Sequence, residues 1–330
     1  MAKHRIIFGD SRNMREVDNE SVHLIVTSPP YWSIKDYAHP NQIGWNQSYD
    51  QYLSDIRQVM SECYRVLHRG CRMAINIGDQ YLRAKEYGAY RVQPIPADII
   101  QIGCGLGFDF MGNIIWQKIS TTKTSGGGVW MGSLYYPRDG HITYEHEYII
   151  LFRKKGTWPR PLDREKEMSR LTKQQRSEWF RGIWRISPER QNSHQAMFPV
   201  ELPQRLIKMY SFYGETVLDP FLGSGTTCLA AEMEGRNSIG YEINEDYEEI
   251  LREKLGLDHP SLFRQPDISF ERQGQHGSQL AYDELCEYPG KNSPQFPSLT
   301  KSYIREMNRE GDIYMASDEE HLKSTKMILF

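Results

Sequence analysis

Long apolar runs are missing from this chain of 330 residues, and none approaches the roughly 18 residues that a membrane-spanning helix needs. Cysteine is scarce. The five present, Cys63, Cys71, Cys104, Cys228 and Cys286, are odd in number and scattered without a C-x-x-C pair, so neither a disulfide framework nor a zinc site is indicated. His141 and His146 lack the i, i+4 spacing of a helical metal pair, and no metal is expected. A net charge of -3 excludes a surface coated in basic residues. The first residues run into the strand-like Ile6-Ile7-Phe8 and not into a signal-peptide core, which leads to the expectation of a cytoplasmic protein with no membrane association.

What is present is an ordinary globular composition, 39% hydrophobic and 25% charged, at a length that accommodates one large domain with an insertion, or two domains. Charge is unevenly spread. Residues 153–190 hold twelve Lys/Arg against five Asp/Glu, whereas residues 257–330 hold eight against twelve. A basic segment in a mildly acidic chain fits one face that meets phosphates, and equally a solvated helix face. Trp158, Trp179, Phe180 and Trp184 lie among its arginines; such rings stack on nucleic acid or form the core of a small helical insertion, and sequence leaves both open.

Apolar patterning predicts strands at 6–8, 24–27, 72–77, 112–117, 148–153, 216–218 and 237–241, and helices at 49–67, 95–102, 202–210 and 228–234. The 49–67 helix is expected to stop at His68-Arg69-Gly70, a basic last turn with a glycine cap. Strands alternating with helices imply an α/β fold built on a mostly parallel sheet. Residues 120–146, with Gly126-Gly127-Gly128 and many Ser, Thr and Tyr, read as a mobile loop. Gly103-Cys104-Gly105-Leu106-Gly107 looks like a nucleotide loop but follows a helix and precedes a strand, so it reads as a helix stop. Asp79 ends a strand and either lines a pocket or forms a turn.

Two segments carry chemistry. In Thr27-Ser28-Pro29-Pro30-Tyr31-Trp32 a strand stops at two prolines, whose fixed φ makes a rigid turn that holds carbonyls and an aromatic ring at the strand end where α/β sheets bind ligands. Rigid acceptors beside a flat ring suit a planar heterocycle with an exocyclic amino group. The second segment is a strand, then Asp219-Pro220-Phe221-Leu222-Gly223-Ser224-Gly225-Thr226-Thr227, a helix, and a strand ending at Glu242. Glycines allow close backbone approach, a helix N-terminus favours negative charge, and an acid after the second strand binds ribose hydroxyls.

Together these residues resemble the permuted β group of the DNA amino-methyltransferases that use S-adenosyl-L-methionine, over residues 4–256. Ser28-Pro29-Pro30-Tyr31 is similar to that family's catalytic motif, 194–210 with Phe198 to the helix beside the cofactor, Asp219 to Thr227 to its methionine-binding loop, and Glu242 to its ribose-binding acid. Asp10 in Gly9-Asp10-Ser11 stands where the family often has an acid near adenine. Protein glutamine methyltransferases carry a related motif, but in the opposite order and beginning with Asn.

The resemblance implies a Rossmann-like methyltransferase fold with helices on both faces of a twisted, mostly parallel sheet. It also implies the divisions 1–119 (catalytic half), 120–193 (loop, closing strand and inserted target-recognition region) and 194–256 (cofactor half); residues 257–330, outside the resemblance and broken up by Pro266, Pro289, Pro294 and Pro297, read as an accessory extension wrapped on the core or partly disordered. Ser28, Pro29, Pro30 and Tyr31 would be catalytic, and Asp10, Phe198, Asp219, Phe221, Gly223, Ser224, Gly225, Thr226 and Glu242 would bind the cofactor. Trp32, Lys123, Arg160, Arg181 and Arg185 are candidates for contacts to double-stranded DNA. Serine at the head of the motif points to cytosine N4 as acceptor, with adenine N6 as the alternative and a catalytically silent DNA-binding regulator as a second. A companion restriction endonuclease is an expected partner; monomer and homodimer stay open.

Overall fold

The computed structural model describes residues 2–118, 142, 144–188, 198–257 and 267–274. Its centre is a nine-stranded sheet. Six neighbouring strands run parallel: β11 (Asp267–Arg272), β1 (Lys3–Phe8), β10 (Asn237–Glu242), β9 (Thr216–Asp219), β2 (Val22–Thr27) and β3 (Leu67–Ile77). Next to β3 comes β7 (His146–Arg153), antiparallel to both of its neighbours, then β6 (Asp109–Lys118) and β8 (Ile183–Ile186), which are parallel to each other. A short hairpin pairs β4 (Gln80–Leu82) with β5 (Arg91–Gln93). The expected alternation thus gives a mostly parallel sheet with one reversed strand.

Strand alternation sends residues to two cores. Ile25, Met73, Ile75, Ile150 and Phe152 face helix α1 (Tyr49–Val66), which buries Tyr52, Ile56, Val59 and Cys63 at helical spacing, and α3 (Ile95–Gly105). Leu24, Val26, Ala74, Ile149 and Val217 face α6 (Glu201–Tyr210) and α7 (Thr226–Met233) on the other side. The remaining helices, α2 (Ala84–Tyr87), α4 (Asp163–Met168), α5 (Lys173–Trp179) and α8 (Glu248–Lys254), are short.

Three details depart from the sequence reading. Helix α1 stops at Val66, not at Gly70: Leu67 is already extended and begins β3. Gly70 (φ 75°) lies inside that strand, where the β2–β3 register slips between Val22/Leu67 and Leu24/Arg72. A positive-φ glycine serves a bulge as readily as a helix cap, and here a Cβ would sit 2.3 Å from the Trp158 nitrogen. Residues beyond 256 also enter the fold, because β11 pairs with β1 over six positions and Gln273 Oε1 accepts the Asp10 N–H at 2.9 Å. Finally, β8 brings part of the basic aromatic segment into the sheet: Trp184 is 1% exposed in the second core and Trp179 packs against that core, whereas Trp158 is half exposed and stacks on Phe212. Gly105 closes α3 as a plain helix stop, the Leu106 N–H returning to Ile102 O. The glycine-rich loop after β6 lies outside the described residues.

Candidate active site

β2 ends at Thr27, and the proline pair carries the chain over the carboxyl edge of the sheet. The Ser28 hydroxyl donates to the Asn76 carbonyl at 3.0 Å. With its single proton committed there, the oxygen presents lone pairs, an acceptor, to anything beside it. The Tyr52 hydroxyl donates to the Pro30 carbonyl at 3.0 Å and holds the turn from below. The Tyr31 hydroxyl accepts the Gly78 N–H at 2.8 Å and bonds Glu147, while burial pushes its pKa well above the usual phenol. Glu147 also accepts from Asn76 Nδ2 at 2.7 Å and pairs with Lys118. The ring of Tyr31 is therefore anchored at its far end.

Trp32 corrects the expectation of a DNA-facing ring. It is 9% exposed, packed between Tyr49 and Tyr87, and its indole N–H donates to the Gln47 carbonyl at 2.9 Å. A satisfied, buried indole is a core residue.

The glycine turn between β9 and α7 stands next to this edge. Gly223 (φ 54°) and Gly225 (φ 85°) take left-handed conformations, and Gly225 approaches Leu251 so closely that a Cβ would lie 2.7 Å from it. Glu242, at the end of β10, accepts the Gly223 N–H at 2.9 Å on one oxygen and the Asn244 N–H at 3.0 Å on the other. Each oxygen keeps a further lone pair, enough for two neighbouring hydroxyls. Burial raises the Glu242 pKa, and the backbone N–H groups of Asn244, Gly223 and Ile243 only partly oppose that.

One cavity joins the two segments. Ser28 and Pro30 line it together with Asp10, Phe198, Phe221 and Gly223. Ser224, Thr226 and Glu242 complete the expected set there. The donor set fits an adenosyl sulfonium: an acid for ribose, apolar Ile43, Phe198, Phe221 and Ile243 for a purine and a thioalkyl chain, and the N-terminus of α7 for a carboxylate. Lys254 reaches Ser224 Oγ at 3.0 Å and Thr226 Oγ1 at 2.6 Å, adding positive charge at the same end.

Four expected residues do not line this cavity: Pro29, Tyr31, Gly225 and Asp219. Asp219 is 2% exposed. It accepts from Thr27 Oγ1 at 2.7 Å, from the Phe221 N–H at 3.0 Å and from Thr227 Oγ1 at 2.6 Å, and burial raises its pKa against those three donors. One carboxylate thus ties the residue before Ser28 to both ends of the glycine turn. Asp10 lines the cavity, but its carboxylate is paired with Arg12, which also bonds the buried Asp55.

Sequence reading missed Tyr37, Gln42, Ile43 and Tyr247, all on the cavity wall. The first three belong to an irregular segment without periodicity, so no local signal marked them. Among the proposed DNA contacts, Arg160, Arg181 and Arg185 are exposed, and the last two border a shallow depression with Glu178 and Arg205. Lys123 lies outside the described residues. Among the described residues no group of three or more His, Cys, Asp or Glu is placed to hold a metal ion, and no helix is long and apolar enough to cross a membrane.

Comparisons with known proteins give the family. The DNA methylase family of N6 and N4 methyltransferases matches residues 22–253. Type II methyltransferase M.MjaI of Methanocaldococcus jannaschii is 36% identical over 300 residues, covering 82% of this chain and 97% of its own length. The structure of a putative DNA modification methylase from Thermus thermophilus, complexed with S-adenosyl-L-methionine, superposes with a TM-score of 0.67 at 34% identity, over 83% of this chain and all of that one. The cytosine-N4-specific PvuII DNA methyltransferase shares the fold at a TM-score of 0.54 and 21% identity, over 76% of this chain and 86% of its own. The chain belongs to the N6/N4 DNA methylase family, a Rossmann-like family whose methyl donor is S-adenosyl-L-methionine.

Proposed function

We propose that the protein methylates the exocyclic N4 of a cytosine flipped out of duplex DNA, at a site shared with a companion restriction endonuclease. The observation that carries this reading is the Ser28 hydroxyl, turned by Asn76 into an acceptor on the wall of the cavity that Glu242 and Gly223 also line. The neutral serine, in place of an acid or amide, supports cytosine over adenine. The type II names of relatives such as M.MjaI support the pairing with an endonuclease.

An amino group conjugated to a pyrimidine is a weak nucleophile, because its lone pair is spread into the ring. Bound S-adenosyl-L-methionine would supply an electrophilic methyl group for that nitrogen to attack. Ser28 Oγ and the Pro29 carbonyl accept the two amino protons, draw the nitrogen toward tetrahedral geometry and localise its lone pair. Tyr31, fixed through Gly78 and Glu147, offers a ring face to the base. Glu242 holds the ribose and Asp219 keeps the two halves in register. These groups are preorganised by hydrogen bonds already made, so positioning and electrostatics carry the rate. Arg160, Arg181 and Arg185 supply phosphate contacts on the exposed basic segment.

Incubation with S-adenosyl-L-methionine and mixed-sequence duplex DNA, followed by mass spectrometry of the nucleosides, tests the reading. N4-methylcytosine is expected, and Ser28→Ala should abolish it. N6-methyladenine alone would overturn the base assignment. No methylated base in the presence of demonstrated cofactor binding would favour a silent regulator.

A further inference from the structure

Residues 33–47 leave the catalytic turn and return to it, the Ser33 N–H donating to Gly44 O at 2.8 Å. Between these points the segment is fastened on both sides of the cavity. Arg12, paired with Asp10, donates to Asn41 O at 3.1 Å. Asn244, whose N–H bonds Glu242, donates its Nδ2 to Tyr37 O at 3.1 Å. Residues 37–43 therefore lie between the acid near the purine end and the acid at the ribose.

Gln42 sits in this stretch, 6% exposed and on the cavity wall. Its Oε1 accepts the Tyr37 N–H at 2.6 Å. A backbone N–H can only donate, so the accepting atom is the oxygen and the orientation of the amide is determined. That leaves Nε2 as a buried donor with no hydrogen-bond partner in the protein. Natural interiors seldom leave such a group unpaired unless something else binds there. A purine seated against Ile43 offers in-plane ring nitrogens, which accept and cannot donate.

We infer that Gln42 Nε2 is the protein's adenine-reading donor, bonding a ring nitrogen of the cofactor's purine. The inference rests on the reading of this cavity as the cofactor site.

Gln42→Glu is the informative variant: one carboxylate oxygen still accepts the Tyr37 N–H, while the donor becomes an acceptor. Calorimetric titration of the full chain would use S-adenosylhomocysteine and its 1-deaza, 3-deaza and 7-deaza analogues. The expected result is a loss of about tenfold or more for the parent ligand on the variant. One deaza analogue should lose about tenfold on the unsubstituted protein, with little further loss on Gln42→Glu. Equal binding of all three analogues and the parent by the unsubstituted protein would overturn the inference, and that arm needs no variant to fold. Undiminished binding of the parent by Gln42→Glu would overturn it too. Failure of the unsubstituted protein to bind S-adenosylhomocysteine at all would defeat the cofactor-site reading and this inference with it.

Discussion

Removal of the Asp219 carboxylate should unfasten two motifs that lie almost 200 residues apart in the chain. In Asp219→Ala the Thr27 hydroxyl, the Thr227 hydroxyl and the Phe221 N–H lose acceptors at 2.7, 2.6 and 3.0 Å. A hydrogen bond to a charged acceptor is worth about 1.5–3 kcal/mol net. The hydroxyls can rotate toward other acceptors, the amide cannot, and removal of a buried charge returns part of the desolvation cost. The balance is a loss of about 3–5 kcal/mol. Asp219→Asn keeps an oxygen for Thr27 and Phe221 and meets Thr227 with an N–H that the hydroxyl can accept, so about 1–2 kcal/mol is expected. Urea unfolding followed by tryptophan fluorescence reads both values as shifts in midpoint at constant slope. A cycle of Thr27→Val with Asp219→Ala should show a coupling of about 1 kcal/mol or more. S-adenosyl-L-methionine affinity should fall as well, although Asp219 does not line the cavity. A loss below about 1 kcal/mol for Asp219→Ala, with no coupling to Thr27, would refute the view of this carboxylate as the joint between the motifs.

Two further outcomes depend on pH. Burial raises the Glu242 pKa above its ordinary 4.5, and ribose binding needs the ionised form, so cofactor affinity should weaken as pH falls, earlier than an ordinary glutamate would dictate. Calorimetry from about pH 8 down to about pH 4 measures this, and Glu242→Gln should cost about tenfold or more at the upper end; an affinity flat over that range would contradict it. At the opposite end of the sheet, burial pushes the Glu215 carboxyl up to about 7, with Glu165 nearby and the Phe212 N–H and Arg236 opposing. A raised folded-state pKa favours the protonated native protein, so this contribution is full below the unfolded value near 4.5 and is lost as pH rises through about 7. After allowance for the exposed part of the group, about 1–2 kcal/mol is at stake. Glu215→Gln should therefore raise the melting temperature by about 2–6 °C at pH 8 and leave it unchanged near pH 4; equal shifts at both would rule this out.

The sequence by itself determined seven of the strands and four of the helices in their order, the proline turn, the glycine turn and the acid after the second strand. These are local properties: proline stops a strand wherever it occurs, a glycine turn needs its glycines, and alternation of apolar residues reports burial on one face. It misplaced the end of α1, because a left-handed glycine serves caps and bulges alike, and only the pairing of β2 with β3 distinguishes them. Only the tertiary structure decided what each polar residue of the site touches. Asp219 belongs to the cofactor motif, yet it acts on Thr27 through a contact that no local pattern encodes. Trp32 adjoins the proline turn, yet the aromatic neighbours Tyr49 and Tyr87 claim it for the core. Gln42 carried no signal at all, since its meaning is a donor left without an acceptor. The physical reason is common to the three: a hydrogen bond or a packed ring is defined by its partner, and these partners come from segments that meet only when the sheet is assembled.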